Sequence, residues 1–131
     1  MKFEKVETGT TPTILMDTET NTFLIEGRSL AEDAAAFYGE AVGWMNDNLA
    51  GEKIKADVVV KLDYCNTSSF LGMSHVFKKL AELNDCGSSY RVKWRYEAND
   101  EDWLEDGENF QEATGVPFVF DAFEAAEETS E

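Results

Sequence analysis

The segment Ile54 to Leu62 encloses the unbroken run Val58-Val59-Val60. Three β-branched residues with no polar residue between them favour a strand covered on both faces, hence a central strand in a helix-covered sheet. Parallel neighbours of such a strand need crossovers long enough to hold a helix. Helical spacing stands on both sides of the run. Upstream, Ser29-Leu-Ala-Glu32 has the form of a capping box, in which Ser29 accepts from the Glu32 amide and the Glu32 carboxylate reaches back, so a helix is expected to start there. Ala34, Phe37, Ala41, Trp44 or Met45, and Leu49 then recur at intervals of three and four until Gly51 stops the helix. Downstream, Phe70, Met73, Phe77, Leu80 and Leu83 repeat the pattern, with a stop at Asn84 to Gly87.

The remaining segments extend the sheet. Residues 11 to 26 hold two short β-prone runs around the polar stretch Asp17 to Asn21, which predicts a hairpin whose second strand ends at Gly27. Tyr90, Val92, Trp94 and Tyr96 alternate with Arg91, Lys93 and Arg95, a strand with one aromatic and one basic face. Residues 100 to 113 read as an acid-rich helix carrying Trp103, Leu104 and Phe110, interrupted by Gly107 and closed by Gly115 and Pro117 before a last strand at Val116 to Phe120. The expected order is β-β-α-β-α-β-α-β, an α/β class in which an N-terminal hairpin joins parallel strands in one mixed sheet packed by helices. A chain of 131 residues that is 43% hydrophobic and 12% aromatic has the material for one such domain over 1–131. Disorder is expected in the first eight or so residues and in an acidic tail, 124–131.

Charge narrows the function. There are 27 acids against 11 bases, a net −16. All 11 bases lie in residues 1–96 with 14 of the acids, net −3, whereas residues 97–131 hold 13 acids and no base. That surface repels phosphate backbones and anionic lipid, so neither nucleic acid nor a membrane is an expected partner. No run of about 18 apolar residues exists, and the N-terminus lacks the apolar core of a signal peptide, which points to the cytoplasm. Cys65 and Cys86 match no C-x-x-C spacing and are expected as reduced thiols there, and a lone histidine, His75, argues against zinc.

Catalytic and ligand motifs fail on inspection. No G-x-S-x-G elbow or phosphate-binding glycine loop occurs, His75 falls within the second helix, and no nucleophile and base can be paired among Asp63, Thr67 and His75, so no enzyme and no cofactor are expected. The run Asp100 to Gly107 resembles a calcium loop only loosely, with Leu104 at a ligand position and Glu105 where glycine is required, and reads as a solvated acidic helix face. The basic row Arg91, Lys93, Arg95 would neutralise this neighbouring acid. Asn66-Thr67-Ser68-Ser69 remains, an amide and three hydroxyls between the valine strand and the second helix. Such residues cap helix N-termini. The same position also suits a phosphate, which the free amides and positive dipole end of a helix accommodate, so phosphorylation stands beside capping as a reading.

The chain resembles the SiaC family of bacterial regulatory phosphoproteins. The resemblance lies in Thr11-Pro-Thr-Ile14, the stretch from Glu26-Gly27-Arg28-Ser29 to Asp33, Tyr64-Cys-Asn-Thr-Ser-Ser69, the Val92 to Tyr96 strand and Gly115-Val-Pro-Phe118. The most specific of these is Tyr64 to Ser69, in which Cys65 stands where the family more often has an aliphatic residue. The resemblance implies a STAS-like fold, similar to the anti-sigma-factor antagonists, and a partner-switching role. Thr67 would be the phosphoacceptor, with Tyr64, Asn66, Ser68 and Ser69 completing the partner-binding segment. The implied partners are a GGDEF diguanylate cyclase that the unphosphorylated form activates, a Ser/Thr kinase of the anti-sigma type and a metal-dependent Ser/Thr phosphatase. The alternative is an antagonist that binds an anti-sigma-type kinase and controls transcription.

Overall fold

In the computed structural model, which describes residues 1–124, six strands form one sheet in chain order. They are β1 (Lys2–Lys5), β2 (Thr13–Asp17), β3 (Thr22–Ser29), β4 (Lys55–Cys65), β5 (Ser89–Glu97) and β6 (Phe118–Phe123). The first three pair antiparallel and the rest parallel. Helices α1 (Ala34–Asn48), α2 (Thr67–Asp85) and α3 (Glu101–Thr114) fill the three crossovers. The mixed sheet of a hairpin and parallel strands, packed by helices, is the class expected, with one strand added at the start. Apart from Glu124, the expected acidic tail 124–131 lies outside the described residues.

The added strand corrects the expectation of disorder in the first eight residues. Phe3 packs on Trp44 with ring centroids 5.8 Å apart, and Lys5 reaches Glu40 at 2.9 Å, so β1 is held by α1 as well as by β2. The valine strand departs from expectation too. Each parallel crossover advances one strand in the same direction, and right-handed crossovers then place all three helices on one face. Val58, Val60 and Leu62 are buried on that face, while Val59 is only half-buried on the other. There it continues a cross-strand row, Leu15 beside Leu24 beside Val59 beside Lys93, whose side chains shield one another.

On the open face Arg91 pairs with Asp57 through two contacts of 2.9 and 3.1 Å, and Arg95 and Lys93 reach Asp121 at 3.0 and 3.9 Å. The basic row is neutralised by the adjacent strands β4 and β6, and not by the acid-rich helix as expected. The buried face carries Phe23, Tyr90 and Trp94, and Phe77 of α2 meets Phe110 at 5.0 Å and Phe118 at 5.4 Å. Gly107 does not interrupt α3. A Cβ there would lie 2.6 Å from Trp94 Nε1, so glycine lets the indole lie against the helix, where it donates to the Trp103 carbonyl at 2.9 Å. Gly115, in the left-handed region at φ 83°, ends α3 as expected.

Candidate functional site

The expected helix start at Ser29 is not made. β3 runs on through Gly27 to Ser29, and α1 begins at Ala34 with Asp33 as its cap, accepting from the Ala36 amide at 3.1 Å. Gly27 sits at φ 125°, a conformation other residues rarely adopt, and the β3–β4 register shifts immediately after it. The shift sets Arg28 opposite Tyr64 and Ser29 opposite Cys65. Ser29 is thereby brought beneath the start of α2, where its hydroxyl has partners more distant in sequence than Glu32.

Asn66 caps α2. Its Oδ1 accepts from the Ser69 amide at 2.9 Å, and its Nδ2 donates to the Ala31 carbonyl at 3.1 Å. Ser68 Oγ accepts from the Ala34 amide at 3.2 Å and donates to the Glu32 carbonyl at 3.4 Å, so one hydroxyl serves the first turn of the neighbouring helix. Ser69 is fully buried. Its hydroxyl donates to the Ser29 carbonyl at 2.8 Å and accepts from Ser29 Oγ at 2.7 Å. With the Ser29 proton so used, the 2.6 Å contact between Tyr38 and Ser29 has Tyr38 as donor. The result is a directed chain, Tyr38 to Ser29 to Ser69 to the Ser29 carbonyl, that ties α1, β3 and α2 together out of water. Burial foremost pushes the Tyr38 phenol above its ordinary range, against the opposing pull of its bond to Ser29. Gly72 makes room for this chain, because a Cβ there would lie 2.6 Å from the Tyr38 ring.

Thr67, between these committed side chains, is exposed, and its Oγ1 makes no hydrogen bond among the described residues. Tyr64 is 60% exposed and Leu71, one turn further along α2, 58%. The Arg28 guanidinium lies over the Tyr64 ring, 5.1 Å from its centroid. Cys65 faces inward toward Met73, and its thiol is pushed up to about 12, by burial first and the Asp106 charge second.

The five residues expected at the site all lie within Tyr64 to Ser69 but do different work. Tyr64 and Thr67 face solvent, Asn66 and Ser68 hold the loop, and Ser69 is fully buried beneath it. His75 is exposed further along α2. Leu71 was not anticipated, although an apolar residue off the Phe70–Met73–Phe77 stripe is a readable sign of a contact surface. Tyr38 was also missed, and it fits the 34, 38, 41, 45 spacing of buried residues on α1 better than Phe37 does.

Known proteins share this fold. The sequence model of the SiaC family regulatory phosphoproteins matches residues 5–123. An uncharacterized protein of Pseudomonas aeruginosa (strain UCBPP-PA14) is 28% identical over 115 residues, 88% of this chain and 91% of that one. The crystal structure of apo-SiaC from Pseudomonas aeruginosa superimposes with a TM-score of 0.82 at 25% identity, over 93% of this chain and 99% of that one. A chain in the crystal structure of the diguanylate cyclase SiaD in complex with its activator SiaC, from the same organism, does so with a TM-score of 0.82 at 26% identity, over 92% of this chain and 99% of that one.

Proposed function

Because this chain belongs to the SiaC family of regulatory phosphoproteins, we propose that it is a phosphorylation-controlled activator of a GGDEF diguanylate cyclase, acting in the cytoplasm without catalytic groups of its own. The observation that carries the reading is the division of the capping segment: Asn66, Ser68 and Ser69 are committed to the fold, while the Thr67 hydroxyl is exposed and unbonded. Thr67 is thus the hydroxyl that a Ser/Thr kinase of the anti-sigma type reaches without opening the fold, and a metal-dependent phosphatase would restore it. The complex of Pseudomonas aeruginosa SiaC with SiaD favours a cyclase over an anti-sigma-type kinase as the regulated target.

The switch is electrostatic. Thr67 opens α2, flanked on the surface by Tyr64 and Leu71, an apolar pair suited to lying dry against a partner. Phosphate at the first position of a helix is compatible with the fold, since the dipole end and free amides favour it. Placed between two side chains that a partner must desolvate, its charge of about −1.5 to −2 costs several kcal/mol unless the partner supplies a cation. Such a cost weakens binding by two or more orders of magnitude.

The test is a binding series with the cognate cyclase. Thr67→Ala is expected to bind as the unmodified chain does and to accept no phosphate, while the phosphorylated chain and Thr67→Glu bind at least about 100-fold more weakly. Phosphate mapped to another residue in material from the native host, or a folded Thr67→Ala that the cyclase does not retain, would overturn the proposal.

A further inference from the structure

The sheet divides at its carboxyl end. β4 and β5 pair from Lys55 beside Ser89 only as far as Val60 beside Trp94, although β4 stays paired with β3 to Cys65 and β5 with β6 to Phe123. Beyond Val60 the two central strands separate and leave an open groove of about 340 Å³. Tyr64, Tyr96 and Trp103 supply its aromatic walls, and Asp63, Glu97 and Asp100 its carboxylates. Trp103 is fixed in place, stacked on Trp94 at 4.4 Å and donating from Nε1 to the Arg95 carbonyl at 3.2 Å.

The charges define the occupant. Asp63 and Glu97 make no ion pair among the described residues, and Arg95, the one base in the groove's lining, has its guanidinium turned to Asp121 at 3.0 Å and lying 4.9 Å from the Phe123 ring centre. Aromatic faces beside unpaired carboxylates attract a cation twice, through the ring quadrupole and through charge. Guanidinium suits this better than ammonium, being planar and less strongly hydrated. Arg28, stacked on Tyr64 at the rim, makes that contact within the molecule itself. A nucleic acid, or a second copy of a chain with net charge −16, brings the wrong sign.

We infer that this groove is a docking site for an arginine side chain presented by a basic segment of a protein partner. The site is distinct from the Thr67 switch but continuous with its surface through Tyr64, so a partner that covers Thr67 is positioned to place an arginine here. The inference does not depend on the partner being a cyclase.

A capped pentapeptide with arginine between two pairs of glycines, titrated into the full ¹⁵N-labelled chain, tests it without the cyclase. The Trp103 indole N–H and the backbone amides of Tyr64 and Glu97 are expected to shift saturably, and the matching glutamine peptide to shift none of them. Asp63→Asn with Glu97→Gln should weaken the arginine peptide about fivefold, whereas Glu108→Gln with Glu112→Gln, which removes the same charge from exposed positions of α3, should leave it unchanged. Tyr64→Ala, which removes an exposed ring, should weaken it as well. Equal weakening by the two charge-neutralised pairs would mean diffuse attraction and no site. Equal shifts with the glutamine peptide, or none with arginine, would overturn the inference outright.

Discussion

Thr67 and Ser69 lie two residues apart in the first turn of α2 and carry the same functional group, yet one is exposed and unbonded and the other is fully buried with two hydrogen bonds. The helix itself divides them. At 3.6 residues per turn, side chains two positions apart point about 200° away from each other, so one faces the core when the other faces water. A row of adjacent hydroxyls at a helix start is therefore not one site. It is a structural residue and a chemically available one separated by half a turn.

The same charge placed at the two positions should separate them most. Ser69→Asp puts a carboxylate into a buried hydroxyl network with no cation among its described partners, and it is expected to cost at least about 3 kcal/mol in urea unfolding, a large part of a domain's stability. If Ser69→Asp unfolded at the same urea concentration as the unmodified chain, the buried chain described above would be wrong.

Milder changes sharpen the buried half. Ser69→Ala leaves the Ser29 hydroxyl without its acceptor and the Ser29 carbonyl without that donor, and should cost about 1–3 kcal/mol. Tyr38→Phe removes one donor and should cost about 1 kcal/mol. Since both residues meet at Ser29, the double variant should fall short of the sum by about 0.5 kcal/mol or more, which a double-mutant cycle measures. Strict additivity would mean that the hydroxyls do not act as a network.

The contrast also marks the reach of sequence reading. The spacing of the second helix and the alternation along Tyr90, Val92 and Trp94 are local properties, and both carried over into α2 and β5 with the expected buried faces, Phe70 and Tyr96 being half-buried at their ends. A cap among Asn66 to Ser69 was legible for the same reason, and the fold assigns it to Asn66. Ser29 was not, because its partners Tyr38 and Ser69 lie 9 and 40 residues away and tertiary bonding outcompeted a good local capping pattern. Gly107 was misread likewise, since its role depends on an indole from another strand. Val58 to Val60 was read as covered on both faces, yet nothing in the run itself records that consecutive crossovers put every helix on one side. The motif Tyr64 to Ser69 identified the segment. Only the fold separated its exposed members from its buried one.

The cysteines extend the comparison to chemistry. Cys65 lies inside the capping motif with its thiol pushed up to about 12, and Cys86 caps the far end of α2, exposed. A thiol reagent at pH 8 should modify Cys86 quickly and Cys65 slowly, because the thiolate is the reactive form. The raised value means that folding favours the protonated thiol. This contribution to stability is fully present below about pH 9, the unfolded value, and is lost as pH rises from there toward 12. Replacing Cys65 by valine should flatten that part of the stability curve, as equilibrium unfolding across pH 8–11 would reveal. Equal labelling rates for the two thiols would place Cys65 at the surface and weaken the division of the segment into inner and outer members.

The smallest effect belongs to Thr67 itself and is the most informative for the switch. No acidic residue occupies the first turn of α2, so Thr67→Asp adds a charge where the helix dipole welcomes one and should stabilise the fold by about 0.3–1 kcal/mol, less at high salt. Thr67→Ala, removing an unbonded exposed side chain, should fall within about 0.5 kcal/mol of the unmodified chain. Both follow from a surface position, and both are needed if phosphate is to act on the partner and leave the fold alone. A Thr67→Asp chain that melts several degrees lower would mean that the added charge disturbs the helix start, and loss of binding would then report unfolding. A chain equally or more stable that no longer holds the cyclase would separate the two effects, leaving the charge between Tyr64 and Leu71 as the cause.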